Sequence, residues 1–324
     1  MGQRRIGQLG FLDSELSQRG GGGRRSVLDD VNGLLDWPAF ERLLAAIPVA
    51  AKGEPSYPAL MMFKVLLLQR WYGLSDPEME AALCDRISFL RFAGLALEDR
   101  TPDHSTIWRF RERLAKDGLI ERLLAELERQ LDGRGLLIKK GTLIDASMVT
   151  SAARRPRMEE GPTSKTDPDA RFGADNERRR FTFGYKMHIA VDQGSGLVRK
   201  GLLSSANIQD VSLATALIPG DGGTVYADRA YDSNGIRNYL QAKGLQDGLM
   251  RRGQKGKPLS PELIERNHRI VPLRRPVEAV FGTFKRSYGL ARMRYFNARR
   301  NLVAVLLTCL AYNIRRSCVL LGAA

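Results

Sequence analysis

The chain has 324 residues, 43% of them hydrophobic, which is enough for a substantial core spread over two or three domains. Its 51 Lys and Arg residues outnumber its 36 Asp and Glu residues, so the formal charge is +15 and a polyanionic partner is favoured. The three cysteines lack metal-ligand spacing, no secretory signal follows Met1, and the apolar run over residues 303–312 is too short to cross a bilayer. We therefore expect a cytoplasmic protein without a membrane partner.

Residues 1–35 are polar and contain four consecutive glycines before Arg24 and Arg25, which predicts a flexible basic arm. Residues 36–135 show helical periodicity, with a capping box formed by Ser75 and Glu78, and are predicted to form an all-helical domain.

One predicted helix, over residues 105–116, carries Arg109, Arg111 and Arg113 with Trp108 and Phe110 between them. A short turn with Gly118 joins it to the next helix, which is compatible with helix-turn-helix reading of DNA through these three arginines. A pair of helices that merely packs together explains the same pattern, and both interpretations stay open here.

From residue 136 to 324 the pattern changes to short strands alternating with helices, which predicts an α/β domain with a mixed sheet and flanking helices. The predicted strands cover residues 143–146, 186–192, 197–203, 224–227 and 245–250. A charged segment over residues 151–180 is predicted to be a mobile basic loop. A second loop, over residues 251–258, is predicted to follow DNA phosphates with four side chains: Arg251, Arg252, Lys255 and Lys257.

Three carboxylates stand in settings that suit a metal site. Asp145 and Asp228 each end an apolar run, and Glu278 lies in a basic, helix-like stretch that Pro276 is expected to begin. Acids at strand ends and on a neighbouring helix can converge to hold hard divalent cations, which together activate water at a phosphodiester. Lys285 falls near the same helix face as Glu278, within reach of a bound phosphate, and Arg274 is expected to contact DNA just before the helix begins. An ordinary solvated helix with ion pairs explains the Glu278 stretch equally well.

His188 lies on a predicted strand with the side-chain parity of Asp192. It could orient the metal ligands from beside the site, or it could be a buried structural histidine; the second interpretation is favoured.

Several segments carry a family resemblance, to the DDE transposases of bacterial insertion sequences and specifically to the insertion-sequence-five (InsH-like) group. The chain resembles this family at residues 101–111 (TPDHSTIWRFR), 184–192 (GYKMHIAVD), 206–210 (ANIQD) and 227–232 (ADRAYD), and in the spacing of Arg274, Glu278 and Lys285. The Tyr of the family signature is replaced here by Val271, and only 49 residues (229–277) separate the last two acids, which leaves no room for a large inserted domain.

The resemblance implies a ribonuclease-H-like catalytic domain in which Asp145, Asp228 and Glu278 bind two Mg²⁺ or Mn²⁺ ions. It also implies cleavage at the ends of an insertion sequence, strand transfer into target DNA, a homodimer on double-stranded DNA and a nucleoid-associated location. Two alternatives to this function are a metal-independent basic DNA-binding protein or repressor, and a simple DNA nuclease of the same fold.

Overall fold

The computed structural model describes residues 4–8, 26–48, 54–116, 118–157, 159, 161–175, 180–254, 256 and 258–322. The described residues form two compact units, one from Met1–Gln130 with Leu310–Ala324 and the other from Leu131–Cys309. The change of unit thus falls a few residues before the boundary predicted at residue 135. Residues from Leu310 onward belong to the helical unit, whereas the sequence analysis assigned them to the α/β domain that extends to residue 324.

The first unit is helical, as expected. Its helices are α1 (Val27–Leu34), α2 (Trp37–Leu44), α3 (Ala59–Tyr72), α4 (Asp76–Asp85), α5 (Ile87–Ala93), α6 (His104–Leu114) and α7 (Leu119–Gly133). The core centres on α3, whose side chains are buried on almost every face, as is typical of a helix surrounded by others. The predicted capping box is present at α4, where Ser75 accepts a hydrogen bond from the Glu78 backbone N–H and Glu78 accepts one from Ser75.

The predicted flexible arm over residues 1–35 is wrong for its described parts. Residues 27–34 form α1, which Ser26 caps together with Asp29. Arg4 pairs with Glu54 at 2.8 Å, and the Gly7 backbone N–H donates to Asp99 at 2.7 Å. The glycine run and its two arginines lie outside the described residues.

The second unit is built on a mixed six-stranded sheet. Its strands are β1 (Gly141–Thr150), β2 (Arg171–Asp175), β3 (Arg180–Asp192), β4 (Val198–Ser205), β5 (Thr224–Ala227) and β6 (Gln246–Leu249). The main order is β2-β3-β1-β5-β6, and β4 also pairs with β3. Strands β1, β5 and β6 run parallel, whereas β1–β3, β2–β3 and β3–β4 are antiparallel. The predicted α/β class and mixed sheet are confirmed.

The segment predicted as a mobile loop, residues 151–180, contains β2 and is anchored by hydrogen bonds to the buried Asp167. Asp167 is fully buried and accepts hydrogen bonds from the Ser151 and Tyr185 hydroxyls and from the Asn297 backbone N–H. A buried carboxylate with three donors fixes its segment firmly, so mobility is the wrong description of this part of the loop.

The two faces of the sheet are covered by different helices. One face packs against α8 (Ala214–Leu217) and α9 (Asn234–Ala242), and Ile144 of β1 belongs to this core. The other face receives α10 (Pro261–Ser287), which packs against β1 and β5. The start of α11 (Ala298–Leu320) packs on this face as well. Gly201 of β4 lies so close to it that an added Cβ would be 2.9 Å from the Leu306 side chain.

Helix α10 begins much earlier than the sequence predicts. It starts at Pro261, capped by the Ser260 side chain, and Pro272 and Pro276 lie in its interior. Each interior proline costs about 3 kcal/mol in an isolated helix. Burial of the apolar stripe of Ile270, Val277 and Phe284 against the unit offsets that cost, so tertiary packing overrides the local stop signal.

Among the described residues, one helix is long and apolar enough to cross a membrane by length and composition. This is α11, with 23 residues, which extends well beyond the predicted apolar run at 303–312. In this structure 72% of its most apolar window is buried inside the protein, as is typical of a core helix.

Candidate active site

Asp145 and Asp228 lie side by side at one edge of the parallel part of the sheet. Leu143 of β1 is in register with Tyr226 of β5, so each aspartate stands two residues beyond a paired position. Neighbouring strands are about 4.8 Å apart, which brings two carboxylates at matching positions close together. In agreement, the negative charge of Asp228 raises the pKa of Asp145.

The sheet pleat directs Asp145 toward α10. Because Ile144 points into the core beneath α8 and α9, its neighbour Asp145 points to the opposite face. There its Oδ1 accepts the Ala146 backbone N–H at 2.8 Å, and its Oδ2 accepts a hydrogen bond from Arg274 at 3.1 Å. Burial raises the pKa of Asp145 to about 7, against the opposing charge of Arg274 and with a smaller contribution from Asp228.

Arg274 is an internal residue of this unit. It lies on the buried stripe of α10 and is 8% exposed. Its guanidinium contacts Asp145 at 3.1 Å and the Met250 sulfur at 3.8 Å. The expectation that Arg274 precedes the helix and faces DNA is therefore wrong for this structure, in which the arginine is the counter-charge of the partly buried Asp145.

Glu278 stands one helical turn after Arg274 on the helix that packs against β1 and β5. It is exposed, and its side chain makes no hydrogen bond or ion pair with any other described residue. Within the described part of the chain, no group of three or more His, Cys, Asp and Glu side chains has the geometry to hold a metal ion. The strand register and the effect of its charge put Asp228 near Asp145, while metal binding by this pair and the convergence of Glu278 with it stay predictions.

Two further residues surround the acid pair, and the sequence did not single them out for the site. Asp210 begins a 3₁₀ turn, accepts a hydrogen bond from Lys186 at 2.8 Å, and adds negative potential that raises the pKa of Asp145. Tyr231 is fully buried, and its hydroxyl has no hydrogen-bond partner among the described residues. Burial and the charges of the three aspartates raise its pKa. The sequence signal that could have found them is that Asp210 and Tyr231 lie in the two segments, 206–210 and 227–232, that resemble the family.

His188 lies on the face of the sheet opposite Asp145. It pairs in register with Ala146, whose side chain alternates with that of Asp145. The ring is fully buried, its Nε2 is 2.8 Å from the Ser204 hydroxyl, and burial lowers its pKa to about 4. This placement supports a structural histidine over one that orients metal ligands.

The three arginines of α6 have different environments. Arg111 is 2% exposed and donates to Asp76 and Gln69, so the prediction that it contacts DNA is wrong for this structure. Burial alone would raise the pKa of Asp76, but the hydrogen bonds and charge of Arg111 outweigh it and lower that pKa. Arg109 is exposed and donates to the Ser105 hydroxyl, and Arg113 is half-buried. Trp108, between them, is also exposed.

The loop over residues 251–258 is only partly available to phosphates. Arg251 pairs with Asp247 and lies 3.5 Å from Asp232, so it is held by internal acids rather than directed outward. The Arg252 side chain is exposed. Lys255 and Lys257 lie outside the described residues. Lys285 is half-buried on α10, two turns beyond Glu278.

The donor set fits a hard divalent cation. Carboxylate oxygens are the ligands that Mg²⁺ and Mn²⁺ prefer, and two or three of them suffice because the ions keep several waters. Burial and a neighbouring carboxylate both penalise the ionised form of Asp145, and a cation beside it relieves both penalties. Asp145 and Asp228 would hold such an ion from the sheet, and Glu278 would approach it from α10.

Comparison with known proteins identifies the family. Residues 21–113 match the Transposase domain (DUF772), and residues 137–314, more than half of the chain, match the Transposase DDE domain. Among solved structures, the chain is similar to the piggyBac transposase synaptic complex with hairpin DNA, at 8% identity and a TM-score of 0.43 over 91% of this chain and 74% of that one. A similarity to the Mos1 transposase paired-end complex with left transposon end has 9% identity and a TM-score of 0.20 over 89% of this chain and 95% of that one.

Both structural similarities are weak, so the assignment depends on the two domain matches. They confirm the transposase resemblance and the ribonuclease-H-like fold that it implies, while the insertion-sequence-five group stays a prediction. The protein belongs to the DDE transposases of insertion-sequence type, enzymes that cut and transfer DNA.

Proposed function

We propose that this transposase cuts DNA at the ends of its own insertion sequence and joins the freed ends to target DNA. In this proposal Asp145, Asp228 and Glu278 hold two Mg²⁺ or Mn²⁺ ions. The observation that supports it most strongly is that Asp145 and Asp228 each lie two residues beyond a register pair of the parallel strands β1 and β5. Asp145 is also partly buried, and its burial and the negative charge of Asp228 both raise its pKa, which a bound cation would counteract. Glu278, exposed and without a described partner, has both oxygens available to complete the set.

The chain's own residues position the reaction. Bound cations would supply an activated water and stabilise the oxygen that leaves phosphorus. The sheet fixes the backbone of Asp145, and Asp228 follows the end of β5, so their oxygens would approach a cation from one direction and Glu278 would approach it from α10. Lys285, two turns beyond Glu278, would bind a phosphate oxygen near the reacting bond.

DNA is the partner that the charge of the chain favours. A formal charge of +15 attracts phosphates and releases their condensed counterions, so binding should weaken steeply with salt. We also propose a homodimer on DNA, because two element ends must be held together for joint insertion. Light scattering of the protein with and without end DNA tests this: a single copy per pair of bound ends would exclude the dimer.

The proposal is tested with purified protein and a labelled DNA fragment that carries an element end. We expect nicking in Mg²⁺, none in EDTA, and loss of nicking with retained DNA binding in Asp145→Asn, Asp228→Asn and Glu278→Gln. Glu262→Gln is the matched control, since it removes an exposed glutamate from the first turn of the same helix. Normal nicking by any of the first three variants would remove that residue from the site.

The product separates the remaining alternatives. A simple nuclease of this fold would release hydrolysed ends and never a covalent joint, whereas a transposase yields strand-transfer product with unlabelled target DNA. A metal-independent binding protein or repressor would retain the DNA fragment without cutting it in any divalent cation.

A further inference from the structure

We propose that Arg274 is a tethered counter-cation, which holds Asp145 in place in the cation-free enzyme and competes with the divalent cation for the same carboxylate. This inference rests on the proposed metal function of Asp145. It assigns Arg274 a positioning role inside the site.

The contact is built into the fold. Arg274 lies on the apolar stripe of α10 between Ile270 and Val277, so helix packing carries its guanidinium under the sheet edge. Its Nη2 donates to Asp145 Oδ2 at 3.1 Å, while the Ala146 backbone N–H occupies Oδ1. A cation bound by Asp145 would use one or both of these oxygens. The Ala146 N–H is fixed by the backbone of β1, whereas the Arg274 side chain can move away from Oδ2.

The geometry of the pair is that of an exchangeable contact. Arg199 and Asp221 form a two-pronged pair at 2.8 and 2.7 Å, which uses both carboxylate oxygens. Arg274 instead makes one such bond to Asp145, and its Nε is buried without a hydrogen-bond partner among the described residues. A guanidinium has five donors, so this one is poorly satisfied where it lies. Arg274 therefore supplies positive charge to Asp145 without the full set of hydrogen bonds that would fix its guanidinium in place.

Two opposite effects should follow from removing the charge. Without Arg274, Asp145 loses the positive charge that is paired with it, so the metal-free protein becomes less stable. The same change removes the competitor, so divalent cations should bind more tightly. An arginine that only contacted DNA would produce neither effect in the absence of DNA.

The test is a Mn²⁺ titration of the full-length, DNA-free protein, followed by electron paramagnetic resonance of the free ion. We expect Arg274→Gln to bind Mn²⁺ about 5-fold or more tightly than the wild type, the lower end of ordinary coupling between sites. Arg275→Gln is the matched control, because it removes one charge from an exposed position on the same helix and should leave the affinity unchanged. Arg274→Lys keeps the charge and should stay close to the wild type.

A second readout is the melting temperature in EDTA and in Mn²⁺. Arg274→Gln should melt below the wild type in EDTA, and Mn²⁺ should raise its melting temperature by more than it raises that of the wild type. Equal or weaker Mn²⁺ binding by Arg274→Gln would overturn the inference and leave the proposed function standing. If Arg274→Gln does not fold, Arg274→Lys decides, because its shorter side chain holds Asp145 less closely. Mn²⁺ affinity equal to or above that of the wild type would then support the inference, and affinity below that of the wild type would overturn it. Absence of Mn²⁺ binding by the wild type would overturn the proposed function itself.

Discussion

Asp145 and Asp228 each stand two residues beyond the register pair of Leu143 and Tyr226, which joins the parallel strands β1 and β5. The two aspartates are far apart along the chain, yet neighbouring strands lie only about 4.8 Å apart, so the sheet brings the two residues into one region. The proposed metal site depends on this relationship, because it concentrates negative charge just beyond the parallel pairing of β1 and β5, the two strands against which α10 packs.

The stability of the cation-free protein should fall as the pH rises through neutrality. Burial raises the pKa of Asp145 to about 7, whereas an unfolded aspartate titrates near 3.9. The native carboxyl thus holds its proton more tightly, so its contribution is complete below about pH 4 and is lost as the pH rises through about 7. Relative to Asp145→Asn, the wild type in EDTA should lose on the order of 2 kcal/mol of unfolding free energy between pH 5 and pH 8, measured by urea unfolding. Parallel pH profiles for the two proteins would rule this out.

His188 should act in the opposite direction and have no effect on cation binding. Burial lowers its pKa to about 4, so the native state favours the neutral ring, and the stability it contributes above pH 6.5 is lost as the pH falls through about 4. The stability of the wild type relative to His188→Gln should therefore decrease from pH 7 to pH 4. Because the ring lies on the face opposite Asp145, Mn²⁺ affinity should be the same in both proteins. Weaker Mn²⁺ binding by His188→Gln would restore its role beside the ligands.

Arg111 should matter for folding rather than for DNA. Its guanidinium is buried against Asp76 and Gln69, and removing one partner of a buried ion pair costs about 3 kcal/mol. Urea unfolding of Arg111→Ala should show a loss of this size, while the exposed Arg109→Ala should stay within about 0.5 kcal/mol of the wild type. Equal stability of the two variants would mean that the Arg111 hydrogen bonds are not formed in solution.

The loop after β6 should contribute to DNA binding through Arg252, which is exposed, and through Lys255 and Lys257. Replacing Arg252, Lys255 and Lys257 with Ala should flatten the dependence of DNA affinity on salt, by about one unit of slope for each phosphate that these side chains neutralise. Arg251→Ala should lower the melting temperature without changing the slope, since Asp247 and Asp232 hold that side chain. Fluorescence anisotropy between low and moderate salt measures the slope, and thermal unfolding measures the melting temperature. An unchanged slope in the triple variant would exclude this loop from the DNA path.

An apolar run followed by Asp predicted that Asp145 and Asp228 each end a strand. Asp228 does follow β5 directly, whereas β1 continues beyond Asp145 to Thr150, because its pairing with β3 extends past its pairing with β5. The sequence therefore predicted one of the two strand ends. It failed on the arginines, because charge alone does not distinguish a solvated side chain from a buried one. Helical spacing contained the missing information. Arg111 falls on the stripe of Ile107, Phe110 and Leu114, and such a position predicts an internal partner.

The same holds for Arg274 on α10. It falls between the buried Ile270 and Val277, a position that predicts an internal partner, while Glu278 lies just off the buried stripe. The start of that helix carries local signals that were missed, namely the Ser260 cap and Pro261 in the first turn. Its continuation through Pro272 and Pro276 was not predictable locally, since these prolines indicate a helix end and only tertiary burial overrides them. The acid Asp210 and the buried Tyr231 were missed for a similar reason, since their proximity to Asp145 depends on how the 3₁₀ turns pack beneath the sheet.

The central claim is that Asp145, Asp228 and Glu278 bind the same divalent cations. The most direct measurement is the anomalous diffraction of Mn²⁺ in crystals of the protein bound to its end DNA. We predict anomalous peaks about 2.1 Å from carboxylate oxygens of all three residues, the usual distance for a small divalent cation and oxygen. Peaks coordinated by other side chains, or a cation site that leaves out Asp145 or Glu278, would contradict it.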